Sequence, residues 1–127
     1  MKKFEIYVYE DMDEFDYLSC RIEKFRLWVA AVKIDQYFYE VNFYCKSLVY
    51  EYFNTEGNTY YSRPGLIIVD SLELEELNKV VEYLINLNYF KTLKKYRTFE
   101  SIKFYQTKAS YKGKLLKSIN KDFNIRD

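Results

Sequence analysis

Residues 35–46 read DQYFYEVNFYCK, and five of those twelve positions are Tyr or Phe. Tyr37, Tyr39, Val41, Phe43 and Cys45 share one parity. Gln36, Glu40, Asn42 and Lys46 share the other, together with Phe38 and Tyr44. Successive side chains of a strand point to opposite faces, so a period of two with a polar opposite face predicts a strand and not a helix. Rings suit a pleated surface because they pack against cross-strand neighbours. Most rings in this segment are therefore expected to be sheet packing.

Working outward, LWVAAV (27–32) is continuously apolar. Such a run fits a central strand buried on both faces or a short buried helix; its strand-like flanks favour the strand. Phe4, Ile6 and Val8 alternate with Glu5, Tyr7 and Tyr9, which predicts another strand, and Leu18, Cys20 and Ile22 alternate in the same way. EDMDEFD (10–16) between them reads as an acidic loop or a short turn of helix. On the C-terminal side SLVYEYF (47–53) continues as a strand. Thr55-Glu56-Gly57-Asn58 reads as a turn, with TYYSR (59–63) the return arm of a hairpin. LIIV (66–69) follows the break at Arg63-Pro64-Gly65.

The pattern changes after residue 69. Asp70-Ser71-Leu72-Glu73 fits a capping box. Leu74, Leu77, Val81 and Leu84 then recur at three-to-four spacing, with Glu73, Glu75 and Glu76 where the helix dipole favours anions. This predicts a helix over 71–88. TFESIKFYQ predicts a strand over 98–106. Tyr111, Leu115, Ile119 and Phe123 step by four and predict a short helix over 110–123, weakened by Gly113. The expected fold is α+β: a mostly antiparallel sheet of five to six strands within residues 3–69, then helix, strand and short helix. A chain of 127 residues suits one domain spanning residues 1–127.

Composition narrows the chemistry. Tyr 15 and Phe 10 stand beside Gly 3 and Pro 1. The favoured residues have AT-rich codons, which points to a low-GC bacterium or one of its phages or plasmids. The absence of histidine removes Ser-His-Asp and Cys-His catalysis and histidine metal sites. Three isolated glycines cannot build a phosphate loop. Asp11-Met12-Asp13 imitates the start of a calcium loop but lacks the following Gly and the distal Glu. No enzyme, metal or cofactor is expected. MKKFEIYVYED lacks the continuous apolar core of a signal peptide, and no run approaches the ~18 apolar residues of a membrane span. A cytoplasmic setting is expected (the host cytoplasm, if phage encoded), with Cys20 and Cys45 as free, structural thiols.

Charge is segregated along the chain. Residues 1–90 carry 9 Lys and Arg against 16 Asp and Glu, a net −7, while residues 91–127 carry 11 against 3, a net +8. Two candidate surfaces follow. The acidic one comprises Asp11, Asp13, Glu14, Asp16, Glu73, Glu75 and Glu76. The basic one comprises Lys91, Lys94, Lys95, Tyr96, Arg97, Lys112, Lys114, Lys117 and Lys121. Basic groups neutralise phosphates and rings stack on unpaired bases, so the second set is a candidate contact for nucleic acid or an acidic partner. The bland readings are an AT-rich genome's default lysine surface and a basic tail that faces the acidic part of its own chain.

Small size, missing catalytic groups and abundant tyrosine together suggest an interaction protein, because Tyr offers contact area with a polar tip at little rotamer entropy. By analogy of style with small phage and plasmid proteins, the expected function is to bind and inhibit, or adapt, a host macromolecular complex such as a nucleic-acid-targeting defence system, in the manner of anti-CRISPR proteins. Its expected partner is then a protein or nucleoprotein complex such as a nuclease. The alternative is a nucleic-acid-binding module using residues 91–121.

Overall fold

β2 (Arg26–Ile34) and β3 (Tyr37–Cys45) form the centre of the sheet, joined by the two-residue turn Asp35–Gln36. Asp35 takes a left-handed φ of 57, a conformation its short polar side chain tolerates. The computed structural model describes residues 3–55, 65–104 and 110–120. The remaining elements are β1 (Phe4–Tyr9), α1 (Glu14–Ile22), α2 (Lys46–Thr55), β4 (Leu66–Val69), α3 (Leu74–Asn86), β5 (Gly113–Leu115) and α4 (Leu116–Asn120), with 3-10 turns at Tyr89–Thr92 and Phe99–Ser101. The strand order is β4-β3-β2-β1-β5. All pairings are antiparallel except β3 with β4. This is an α+β fold.

The apolar run 27–32 is a strand buried on both faces, and it contains a bulge. The register slips between Leu27, opposite Phe43, and Ala30, opposite Val41. The extra residue switches parity: Leu27 lies on the same face as Ala30, Val32 and Ile34, whereas Val29 and Ala31 lie on the other. Val29 carries a φ of 55, which a β-branched residue adopts only under strain of about 1–3 kcal/mol.

The two faces of the sheet have different covers. One holds Ile6, Val8, Leu27, Val32, Val41, Phe43, Cys45 and Ile67 against Met12, Tyr17, Leu72, Leu77, Val81 and Leu116, which come from or flank α1, α3 and α4. The other gathers Val29, Ala31 and Phe38 with Phe99, Ile102 and Phe104, edged by Tyr7, Tyr9, Tyr96 and Tyr111. Its rings meet edge-on or tilted: Tyr7 lies 5.1 Å from Phe38, and Phe99 lies 5.2 Å from Phe104. Here the aromatic richness is core packing. The face of β3 expected to be polar is buried as well, with Glu40 and Asn42 inside it. Gly65 makes that fit possible, since with its φ of 62 a side chain would strike the Glu40 carbonyl at 2.1 Å.

Several expected elements are replaced. Residues 18–22 belong to helix α1, because a three-residue alternation is weaker than the capping at Asp13. Residues 47–53 lie in α2: β3 and β4 run parallel, and parallel neighbours need a crossover that a hairpin cannot provide. Among the described residues the sheet takes four strands from residues 4–69, and its fifth is β5. The hairpin expected after Thr55 falls at residues 56–63, outside the described residues. The helix expected over 71–88 is present as α3, but its N-cap is Glu73 and not Asp70, and no side chain caps it. Asp70 instead pairs with Lys46 at 2.8 Å.

No strand forms at 98–104. Thr98 accepts from the Ser101 amide at 3.1 Å and turns the chain into a 3-10 element, a local bond that competes with ladder pairing. Ile102 and Phe104 still reach the aromatic core; residues 105 and 106 lie outside the described residues. The helix expected over 110–123 is split into strand β5 and helix α4, with residues 121–123 outside the described set. Gly113 pairs with Tyr9, and a Cβ at Gly113 would sit 2.5 Å from the Phe99 ring. The apparent four-residue period across Gly113 thus bridges two different elements.

Candidate interaction surface

The acidic segment at residues 10–16 is the start of a helix. The Asp16 amide donates to the Asp13 carboxylate at 2.8 Å and the Asp13 amide donates to the Asp16 carboxylate at 3.3 Å, a reciprocal capping box. Glu14 and Asp16 occupy the first turn, where the dipole favours them. Asp13 and Asp16 therefore hold backbone donors. Among the described residues no three Cys, Asp or Glu side chains converge as a metal site.

Helical spacing then sorts the rest of α1. Tyr17, Cys20 and Arg21 turn inward at three-to-four spacing. Tyr17 is fully buried, and its hydroxyl donates to the Leu72 carbonyl at 2.7 Å. Burial pushes this phenol far above its ordinary range. The Arg21 guanidinium lies 5.6 Å from the Tyr17 ring centroid and reaches Glu73 at 3.4 Å. These contacts set the head of α3 beside α1. The two halves of the acidic set therefore share one side of the sheet, tied through Arg21 and Glu73. Glu75 and Glu73 are exposed and Glu76 is half-buried; Glu75 also meets Lys79 at 3.5 Å.

The outward side of α1 carries Phe15, 77% exposed, and Ile22, 67% exposed. Seven residues apart, they lie on one stripe, about 10 Å from end to end. Ser19 sits between them and half-buried Leu18 at the margin. Asp11, Glu14, Asp16 and Glu23 are exposed around the stripe. Among the described residues no cation pairs with Asp11, Glu14 or Asp16. Alternation alone does not mark Phe15 and Ile22 as surface groups, because it places Ile22 on one face with half-buried Leu18 and Cys20. Asp13-x-x-Asp16 ahead of Tyr17 was the signal that sets the helical phase.

A groove of about 450 Å³ runs between the start of α1 and α4, lined by Asp13, Glu14, Phe15, Lys114, Ser118 and Ile119. Part of the basic tail thus borders the acidic surface of its own chain.

The basic set does not assemble into one patch. Lys112, Lys114 and Lys117 lie on or beside β5 and α4, at one edge of the sheet. Tyr96 pairs with Phe38 on the outer side of β3, so Lys94, Lys95, Tyr96 and Arg97 lie at the other edge, and Lys91 precedes them in the 3-10 turn. Lys121 is outside the described residues. At that edge Lys94 sits 5.1 Å from the Tyr96 ring and Lys95 5.0 Å from the Tyr37 ring. Burial, and secondarily the nearby Glu40, raise the Tyr96 phenol. Burial likewise pushes the Glu40 carboxyl up, with a hydrogen bond to Asn42 opposing it. Cys20 is half-buried and Cys45 buried; both are free thiols raised mainly by burial.

A second cleft, about 1370 Å³ and wide open, lies between the start of β1, the β2–β3 turn and the end of α3. Lys3, Lys33, Glu5, Asp35 and Glu82 give it both signs of charge. No described helix is long and apolar enough to cross a membrane. No known protein family, curated protein or solved structure matches this chain.

Proposed function

We propose that this chain is a non-enzymatic interaction protein that binds, and inhibits or adapts, a macromolecular complex of the nucleic-acid-targeting kind used in host defence, in the manner of anti-CRISPR proteins. The observation that carries this reading is the α1 surface, where exposed carboxylates with no cation partner among the described residues surround a largely exposed phenylalanine. Carboxylates at Asp11, Glu14 and Asp16, joined by the head of α3, offer a basic protein surface what a phosphate backbone would offer it. The AT-rich coding bias supports a phage or plasmid origin in a low-GC host, and the lack of histidine supports a binding role over catalysis. The protein acts in this reading in the cytoplasm of the host.

The test is capture from a low-GC bacterial lysate with and without nuclease, followed by reconstitution with the purified target. The reading expects a basic protein retained after nuclease, its affinity falling with salt and falling further when Asp11 and Glu14 become Asn and Gln. Capture that disappears with nuclease rejects it.

That result would favour a second reading, in which the chain binds nucleic acid through Lys94, Lys95, Tyr96 and Arg97. It is supported by the exposed lysines set over rings at the β3 edge. Here log affinity for single-stranded DNA or RNA falls linearly with log salt, and neutralising Lys94, Lys95 and Arg97 lowers the slope.

A further inference from the structure

We infer that the outward face of α1 docks a basic amphipathic helix of a protein partner, with Phe15 and Ile22 as its two apolar anchors. This rests on the reading above and names the kind of partner segment that the acidic surface takes. The described part of the fold leaves these two side chains largely uncovered. Tyr17 already supplies the fully buried ring of α1, and Met12 ahead of it is buried too. Phe15 and Ile22 point the other way, on a nine-residue helix that gains nothing from exposing them.

Three features fix the chemistry of the occupant. The anchors stand two helical turns apart, about 10 Å, a spacing that apolar residues at i, i+3 or i+4, and i+7 of a facing helix can follow. Beside Phe15, the groove toward Ile119 leaves space for an inserted side chain from that helix. The border of Asp11, Glu14, Asp16 and Glu23 calls for Lys or Arg flanking the apolar stripe. The same border opposes the other occupants. Phosphate backbones and anionic lipid surfaces meet like charge, and so does a second copy presenting the same face.

The probe is a synthetic 18-residue peptide with Leu at i, i+3, i+4 and i+7 spacing and Lys elsewhere, titrated against the full chain. Its control has the same composition, scrambled so that no apolar face forms. The expected result is binding of the amphipathic peptide about tenfold tighter than the control, the effect of one good anchor. The Phe15→Ser/Ile22→Ser double variant should lose that preference with its melting transition unchanged. Asp11→Asn/Glu14→Gln should weaken both peptides alike and flatten the salt dependence.

Equal affinity for the two peptides, or a preference that survives in the double variant, overturns the inference while leaving the acidic-surface reading standing. Failure of both peptides to bind the unaltered chain rejects both. A Phe15-dependent dimer in sedimentation, or Phe15-dependent binding to anionic vesicles, replaces the proposed occupant and equally overturns it.

Discussion

α1 and α3 lie on the same side of the sheet and both begin among acids, yet they place their apolar residues differently. α3 turns Leu77 and Val81 fully inward, one turn apart, and its head, Glu73, makes no side-chain cap. Packing holds it. α1 splits its large residues between two faces, Tyr17 inward and Phe15 with Ile22 outward, and begins with a two-way capping box. A nine-residue helix is marginal in isolation, so caps and one buried hydroxyl support what little packing it has. The difference separates residues the fold requires from residues it does not, and the second group is where a binding role is free to reside.

The comparison can be broken by substitution. Leu77→Ala, which empties the inward face of α3, should cost about 3 kcal/mol in denaturant unfolding; a cost under about 1 kcal/mol would deny that packing holds this helix. Tyr17→Phe should cost about 1–2 kcal/mol, since it leaves the Leu72 carbonyl without its donor. The phenol also sets a pH signature. Its folded pKa is raised above the ordinary 10.0, so its contribution is whole below that value and is lost as pH climbs beyond it. Stability relative to Tyr17→Phe should therefore shrink in alkaline unfolding series.

The caps give a smaller contrast. Asp13→Ala should cost about 1 kcal/mol by loss of the box. Glu73→Ala, which removes no cap and one 3.4 Å ion pair whose Glu73 side is exposed, should cost less, about 0.5 kcal/mol. Equal losses would erase the distinction between the two helix starts. Smallest of all, Phe15→Ser should change stability by no more than about 0.5 kcal/mol, read from the same denaturation curves.

Legibility in the sequence followed how local the determining interaction was. β1, β3 and α3 carry their own periodicity, and each was found where the pattern placed it. Run 27–32 read correctly as a strand, but its bulge did not show, because Val29 is held by the register against β3. α2 carries strand-like residues and is helical only because β3 and β4 pair in parallel, a tertiary demand that outweighs propensity. At Leu18-Cys20-Ile22 a short alternation competed with a cap three residues in span, and the cap won. The charged members of the acidic surface were visible as composition; Phe15 and Ile22 were not, since only the helical phase turns them outward. The basic set was legible as residues but not as a place, because its two groups fold to opposite edges of the sheet.

β5 pairs with β1, joining the first strand of the sheet to one more than a hundred positions later. On the ribosome this order matters. β2 and β3, joined by a two-residue turn, can pair soon after they emerge, since tight hairpins close in microseconds, and β1 joins them across the connection through α1. The outer edge of β1 then waits, with Tyr7 and Tyr9 uncovered, until Phe99 and residues 113–115 are made. A nascent chain stalled near residue 105 would present an open strand edge beside bare rings, the form of intermediate that self-associates or recruits chaperones. Translation speed through residues 90–115 therefore bears on yield in a way that no equilibrium measurement on the finished protein reports.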